Sequence, residues 1–179
     1  MLRDLVSTSR WGHPLFSRAN SLLADFLPEP ISKYIYPPPV FAEADRQAQF
    51  KALSETRVAQ PSLGILELFA TELLARYGIR PGRVAGHSYG ELVALHVAGC
   101  LTEQELLWLS AMRGKVCSEV AHTAPGGMAA VRADAKTTLA AIRELDLDLH
   151  LANMNAPDQT VIGGSESAIE TAVTELTRQ

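Results

Sequence analysis

The chain has 179 residues with a net charge of -4 and a hydrophobic fraction of 47%, enough apolar material for one sizeable core and against wholesale disorder. A pI near 5.7 and no run of like charges give no support for nucleic-acid binding or a membrane patch. The two cysteines, Cys100 and Cys117, lack metal-ligand spacing and fall in apolar contexts, as small core residues of a reduced cytosolic protein would. Neither a signal peptide nor an uninterrupted apolar run of transmembrane length is present; Leu92–Leu101 is broken by His96.

The first forty residues are uneven. Apolar positions at helical spacing predict a short helix over Leu15–Leu27, ended by Pro28 and Pro30. Pro37-Pro38-Pro39 reads as a rigid extended connector, and Ala42–Arg57 as a polar surface helix. Pro61–Tyr77 predicts a helix whose apolar face runs through Leu63, Leu66, Phe69, Ala70, Leu73, Leu74 and Tyr77, with Ser62 as cap and Gly78 as terminator.

A short strand, Arg83–Gly86, then leads into Gly86-His87-Ser88-Tyr89-Gly90, followed by a helix to Ala98 that Gly99 ends. This is the G-x-S-x-G pattern between strand and helix, where a serine stands exposed on a tight turn. Free N–H groups at the helix start favour negative charge beside the hydroxyl. The plainer reading is a glycine-rich turn whose serine caps the helix.

Thr102-Glu103-Gln104-Glu105 forms a capping box, opening a helix to about His122 with an apolar stripe of Leu106, Leu109, Val116, Cys117 and Val120. Arg113 falls near the centre of that stripe. A guanidinium there is either paired with an internal carboxylate, snorkelling to water, or a fork of donors held for a substrate carboxylate.

Ala124-Pro125-Gly126-Gly127 marks a change of pattern. Strand Met128–Val131, helix Ala135–Leu145, strand Leu149–Asn155, turn Ala156–Asp158, strand Thr160–Gly163 and helix Ser165–Thr177 follow, most of a split βαβ, ferredoxin-like unit. The expected division is residues 1–123 as core and 124–179 as small subdomain.

A serine nucleophile needs a base, which in elbow folds follows it in sequence. Only His96, His122 and His150 qualify, and none sits in a motif. His87, next to the serine, points to the opposite side of the chain.

The set of motifs resembles the malonyl-CoA:acyl carrier protein transacylase family, as in type I polyketide and fatty acid synthases. The matching stretches are Val58–Gly64, Gly86–Leu92, Met112–Lys115, Gly126–Val131 and Ala152–Gly164, in the family's order and spacing. The Tyr34–Phe41 segment, with Tyr at 89, is most similar to acyltransferase domains of iterative synthases making polyunsaturated fatty acids, heterocyst-type glycolipids or enediynes.

The resemblance implies an α/β-hydrolase-like core with a nucleophile elbow and an inserted ferredoxin-like subdomain. Ser88 matches the nucleophile that takes an acyl group from coenzyme A, and the backbone N–H of Tyr89 one half of the oxyanion hole. Arg113 matches the arginine that pairs with the malonyl carboxylate. Gln60 matches a glutamine lining the site, His87 a residue flanking the nucleophile, and Asn155 a small-subdomain residue near the cleft, all three read as substrate-binding. It implies no cofactor or metal beyond the malonyl-CoA substrate. The implied partners are an acyl carrier protein and neighbouring synthase domains, with no nucleic acid or membrane, in the cytoplasm. Two family parts, a Gly-Gln-Gly-Ser-Gln loop and the catalytic histidine, would lie before Met1 and after Gln179, so the chain is expected to be truncated at both ends and inactive alone. A serine hydrolase or thioesterase and a non-catalytic megasynthase fragment are the alternatives.

Overall fold

Two cores, one built from helices and one from a small sheet with its helices, organise the computed structural model, which describes residues 2–123 and 126–178. The chain divides into two compact units, Met1–Glu119 and Val120–Gln179. Ala124 and Pro125 of the expected boundary motif lie outside the described residues.

In the first unit α1 (Arg3–Thr8), α2 (Gly12–Leu22), α3 (Ile31–Ile35), α4 (Glu43–Ser54) and α5 (Thr56–Arg76) lead up to the serine turn. The helix expected over Leu15–Leu27 starts and stops earlier, and α1 and α3 had no clear sequence signal because each is only five or six residues long. α4 has no fully buried residue, as its polar sequence requires; Gln49, Ala52 and Leu53 are partly covered, Leu53 against the helical core.

α5 begins five residues before the expected start and runs through Pro61. A proline inside a helix removes one backbone bond and crowds the preceding turn. Burial outweighs that cost: Val58 is 2% exposed, and Ile65 and Phe69 are fully buried. Ser62 does not cap the helix; it is buried, and its hydroxyl donates to the Val58 carbonyl at 2.7 Å.

By length and composition α5 is also apolar enough to cross a membrane, contrary to the reading from uninterrupted runs. Its buried side chains pack into the helical core instead, beside Ala19, Leu23, Ile31, Leu106 and Leu107. Trp11 stacks on Phe69 at 5.8 Å, and Arg76 lies over the outer face of Trp11 at 4.4 Å.

α6 (Gly90–Val97) follows the serine turn, and α7 (Glu103–Thr123) opens with the expected capping box. The Glu105 N–H donates to Thr102 Oγ1 at 3.2 Å, and the Thr102 N–H donates to Glu105 Oε2 at 2.8 Å. The inner face of α7 differs from the expected stripe. Leu106, Leu107, Ser110, Ala111 and Gly114 are buried, whereas Val116 is 49% and Val120 54% exposed. Only the first three turns pack against the core, and apolar spacing alone does not reveal where that packing stops. Cys100 and Cys117 are both exposed, not core residues as their apolar neighbours suggested.

The second unit follows the predicted order closely. β1 (Gly126–Val131), α8 (Ala135–Glu144), β2 (Leu149–Ala156), β3 (Gln159–Ser165) and α9 (Glu166–Thr177) form it. The sheet order is β1-β3-β2, with β3 antiparallel to both neighbours. β1 and β2 therefore run parallel, with α8 connecting them and β3 inserted between. Asp134 accepts the Thr137 N–H at 2.7 Å and Ser165 the Ala168 N–H at 3.2 Å, capping the two helices. Ile142, Ile162, Ile169 and Ala172 make the core.

Candidate functional site: a serine turn facing an arginine

The turn before α6 is wound tightly. The N–H groups of Gly90, Glu91 and Leu92 donate to the carbonyls of His87, Ser88 and Tyr89 at 3.0, 3.3 and 3.1 Å. Ser88 itself has φ +54°, in the left-handed region, which costs a β-carbon-bearing residue about 1–3 kcal/mol. A β-carbon on Gly86 would strike the backbone of Gly90 and Glu91, so this position must be glycine. Gly90 faces open space and has no such requirement. The Tyr89 N–H, beside the serine, has no acceptor among the described residues.

The expected strand Arg83–Gly86 is not formed. Strand structure requires a paired neighbour, and none is present there among the described residues; Val84 is 38% exposed.

Three of the expected site residues meet. Arg113 Nη1 donates to Gln60 Oε1 at 2.8 Å, and Arg113 Nη2 donates to Ser88 Oγ at 3.2 Å. Gln60 is buried on α5, Arg113 is half-buried on α7, and Ser88 is exposed on the turn before α6. No carboxylate pairs with Arg113 among the described residues, which removes the internal salt bridge as the reason for its position. Of the five guanidinium N–H donors, two are used in these bonds.

His87 is exposed beside the serine. Asn155 lies on β2 of the second unit and donates to Gln159 Oε1 at 3.2 Å across the hairpin. No histidine hydrogen-bonds Ser88 among the described residues. His96 Nδ1 is held by the Leu101 carbonyl at 2.8 Å, and His150 belongs to β2.

Beneath these groups lies a support that no motif marks. Tyr89 is 7% exposed, and its hydroxyl lies 2.6 Å from Ser110 Oγ. Burial pushes the Tyr89 phenol up to about 12, partly offset by the Ser110 hydrogen bond. Burial also raises the Glu67 carboxyl on α5. The only sequence signals were spacings of one helical turn, Gln60 to Gly64 and Ser110 to Arg113.

By fold, this mixed α/β chain is of the acyltransferase class. It matches the solved acyl transferase domain of ZmaA over its whole length and 40% of that chain, at 25% identity and a TM-score of 0.83. It also matches a malonyl CoA-acyl carrier protein transacylase from Burkholderia pseudomallei over 91% of its length and 51% of that chain, with 28% identity and a TM-score of 0.75.

The chain belongs to the acyl transferase domain family, whose model matches residues 28–179, in the branch found in polyketide and fatty acid synthases. It is 37% identical over 131 residues to a PKS-NRPS hybrid synthetase of Aspergillus candidus, covering 71% of this chain and 5% of that protein. It is 36% identical over 150 residues to a polyunsaturated fatty acid synthase of Thraustochytrium, covering 81% of this chain and again 5% of the relative. The chain thus spans about one twentieth of the length of these curated relatives.

Proposed function

We propose that the chain carries the acyl-binding half of a malonyl-type acyltransferase site, with an α/β-hydrolase-like core, a nucleophile elbow at Ser88 and a ferredoxin-like second unit. One observation carries this reading: an arginine with no carboxylate partner among the described residues is held by Gln60 against the hydroxyl of a strained, exposed serine. A malonyl ester on Ser88 would carry its carboxylate about 4–5 Å beyond Oγ by ordinary bond lengths. Arg113 already stands 3.2 Å from the hydroxyl on which that ester would be built. Guanidinium is the side chain best matched to a carboxylate, and it selects against acyl groups lacking one.

In the first half-reaction Ser88 Oγ attacks the thioester carbonyl of malonyl-CoA while a base takes the hydroxyl proton. The carbon–oxygen bond forms, the Tyr89 N–H faces the developing oxyanion, and the carbon–sulfur bond breaks. Coenzyme A leaves as the thiol with that proton. In the second half the phosphopantetheine thiol of an acyl carrier protein attacks the ester, and Ser88 regains its hydrogen. The base is a histidine, and no histidine hydrogen-bonds Ser88 among the described residues, so no turnover is expected of the chain alone. His87 and Asn155 are read as lining residues, the carrier protein and neighbouring synthase domains as partners, and the cytoplasm as the compartment. A hydrolase giving the ester to water has no use for a carboxylate-directed arginine, and a purely structural fragment has none for the strained serine.

The test is calorimetric titration with malonyl-CoA and acetyl-CoA. Arg113→Ala should abolish the preference for malonyl-CoA, a loss of about 2 kcal/mol, the lower end for a charge pair because this arginine is half-exposed. Retention of the preference would overturn the carboxylate role. Intact-mass spectrometry after incubation with malonyl-CoA should show no acyl adduct; stoichiometric acylation of Ser88 would overturn that expectation.

A further inference from the structure

We infer that Tyr89 is a positioning residue: its hydroxyl, bonded to Ser110 and lodged against Gly64, sets the distance between Ser88 and Arg113. The inference rests on the carboxylate-binding reading of Arg113 and concerns what keeps that arginine in register.

The hydrogen-bond direction can be assigned. Ser110 is fully buried, and its hydroxyl donates its one hydrogen to the Leu106 carbonyl at 2.6 Å. The 2.6 Å bond between the two hydroxyls is therefore donated by Tyr89 and accepted by Ser110. With the phenol pushed up to about 12, Tyr89 keeps that proton throughout the ordinary pH range.

Each element touching the phenol carries one site residue a short step away. Tyr89 directly follows Ser88. Ser110 stands one helical turn before Arg113 on α7, on the side of the helix that residues three apart share. Gly64 stands one turn after Gln60 on α5, and a β-carbon there would strike the Tyr89 hydroxyl. The phenol thus occupies space that only glycine leaves open and locks the turn, α5 and α7 at a single point.

The site residues need such a lock. Arginine is long and rotamer-rich, and its 3.2 Å bond to Ser88 is exposed. Displacement of a positioned group by about 1 Å is enough to lose most of its effect. Gln60 fixes one nitrogen of Arg113; the helix backbone that sets the other is held through Ser110.

Tyr89→Phe in the full chain keeps the ring and leaves Ser110 still bonded to Leu106, so the fold survives. The calorimetric titration should then show malonyl-CoA affinity reduced about fivefold with acetyl-CoA affinity unchanged. Ser110→Ala should do at least as much, because it removes the Tyr89 bond and also the donation to Leu106, and the double variant should be no worse than Ser110→Ala alone, because the Tyr89–Ser110 bond is lost only once. A second readout needs no ligand: the Arg113 side-chain Nε–H resonance in arginine-labelled chain, assigned by its loss in Arg113→Lys, should shift or broaden in Tyr89→Phe. If Arg113→Ala abolishes discrimination while Tyr89→Phe retains both the wild-type discrimination and the wild-type resonance, the positioning role is overturned. A parallel fall for both thioesters with a lowered melting temperature would mark Tyr89 as merely structural and overturn it too. If Arg113→Ala itself leaves discrimination intact, the carboxylate reading fails first.

Discussion

The left-handed backbone at Ser88 makes a quantitative claim about stability. Ser88→Gly and Ser88→Ala both delete the hydroxyl and its bond from Arg113, so the difference between them isolates the backbone. At φ +54° an alanine β-carbon costs about 1–2 kcal/mol that glycine does not incur. Glycine gives back about 0.4–1 kcal/mol through the greater freedom of its unfolded chain. Ser88→Gly should therefore be more stable than Ser88→Ala by about 1 kcal/mol. Urea unfolding followed by tryptophan fluorescence suits the question, because Trp11 and Trp108, the chain's two tryptophans, both lie in the first unit. With a denaturant slope of about 1–3 kcal/mol/M, the midpoints should differ by about 0.3–1 M. Equal midpoints, or a more stable alanine variant, would refute the strained turn and remove one support of the nucleophile reading.

The buried phenol makes a second prediction. Its folded value is raised to about 12 from an unfolded value of about 10, so stability is fully present below the unfolded value. That stability is lost as pH rises from about 10 to 12, and the loss is of order 2–3 kcal/mol. Tyr89→Phe should flatten this alkaline decline in stability against pH; an unchanged slope would place the phenol in water. In the second unit, Ile162 is fully buried at the centre of a small core. Ile162→Ala should cost about 2–5 kcal/mol, a large part of what a unit of that size possesses. Hydrogen exchange across β3 should accelerate accordingly, and protection at the wild-type level would refute the assigned core.

The second unit was legible because its signals are local. Capping residues Asp134 and Ser165 stand where the helices start, and the Pro157-Asp158 turn separates the alternating Leu149–Leu151 stretch from the β-branched run Thr160–Ile162. The first unit was less so. Pro61 reads as a helix start in isolation, yet α5 passes through it because Val58 and Gln60 are buried. The apolar stripe of α7 was misplaced because Val116 and Val120 follow helical spacing beyond the point where packing ends. The strand before Ser88 was expected from composition and is absent for want of a hydrogen-bonding neighbour among the described residues.

At the site, residue types and chain order were enough to single out Ser88 by the glycines around it, and Arg113 as a cation on a helix face that should be apolar. Both are properties of short stretches, where backbone sterics and helical periodicity act. The sequence left open whether Arg113 had an internal carboxylate, and it was silent about Tyr89, Ser110 and Gly64. Those answers depend on groups 25, 53 and 21 residues apart meeting within 3.2, 2.8 and 2.6 Å. Distances of that kind are set by how the helices pack, and only the tertiary structure decides them.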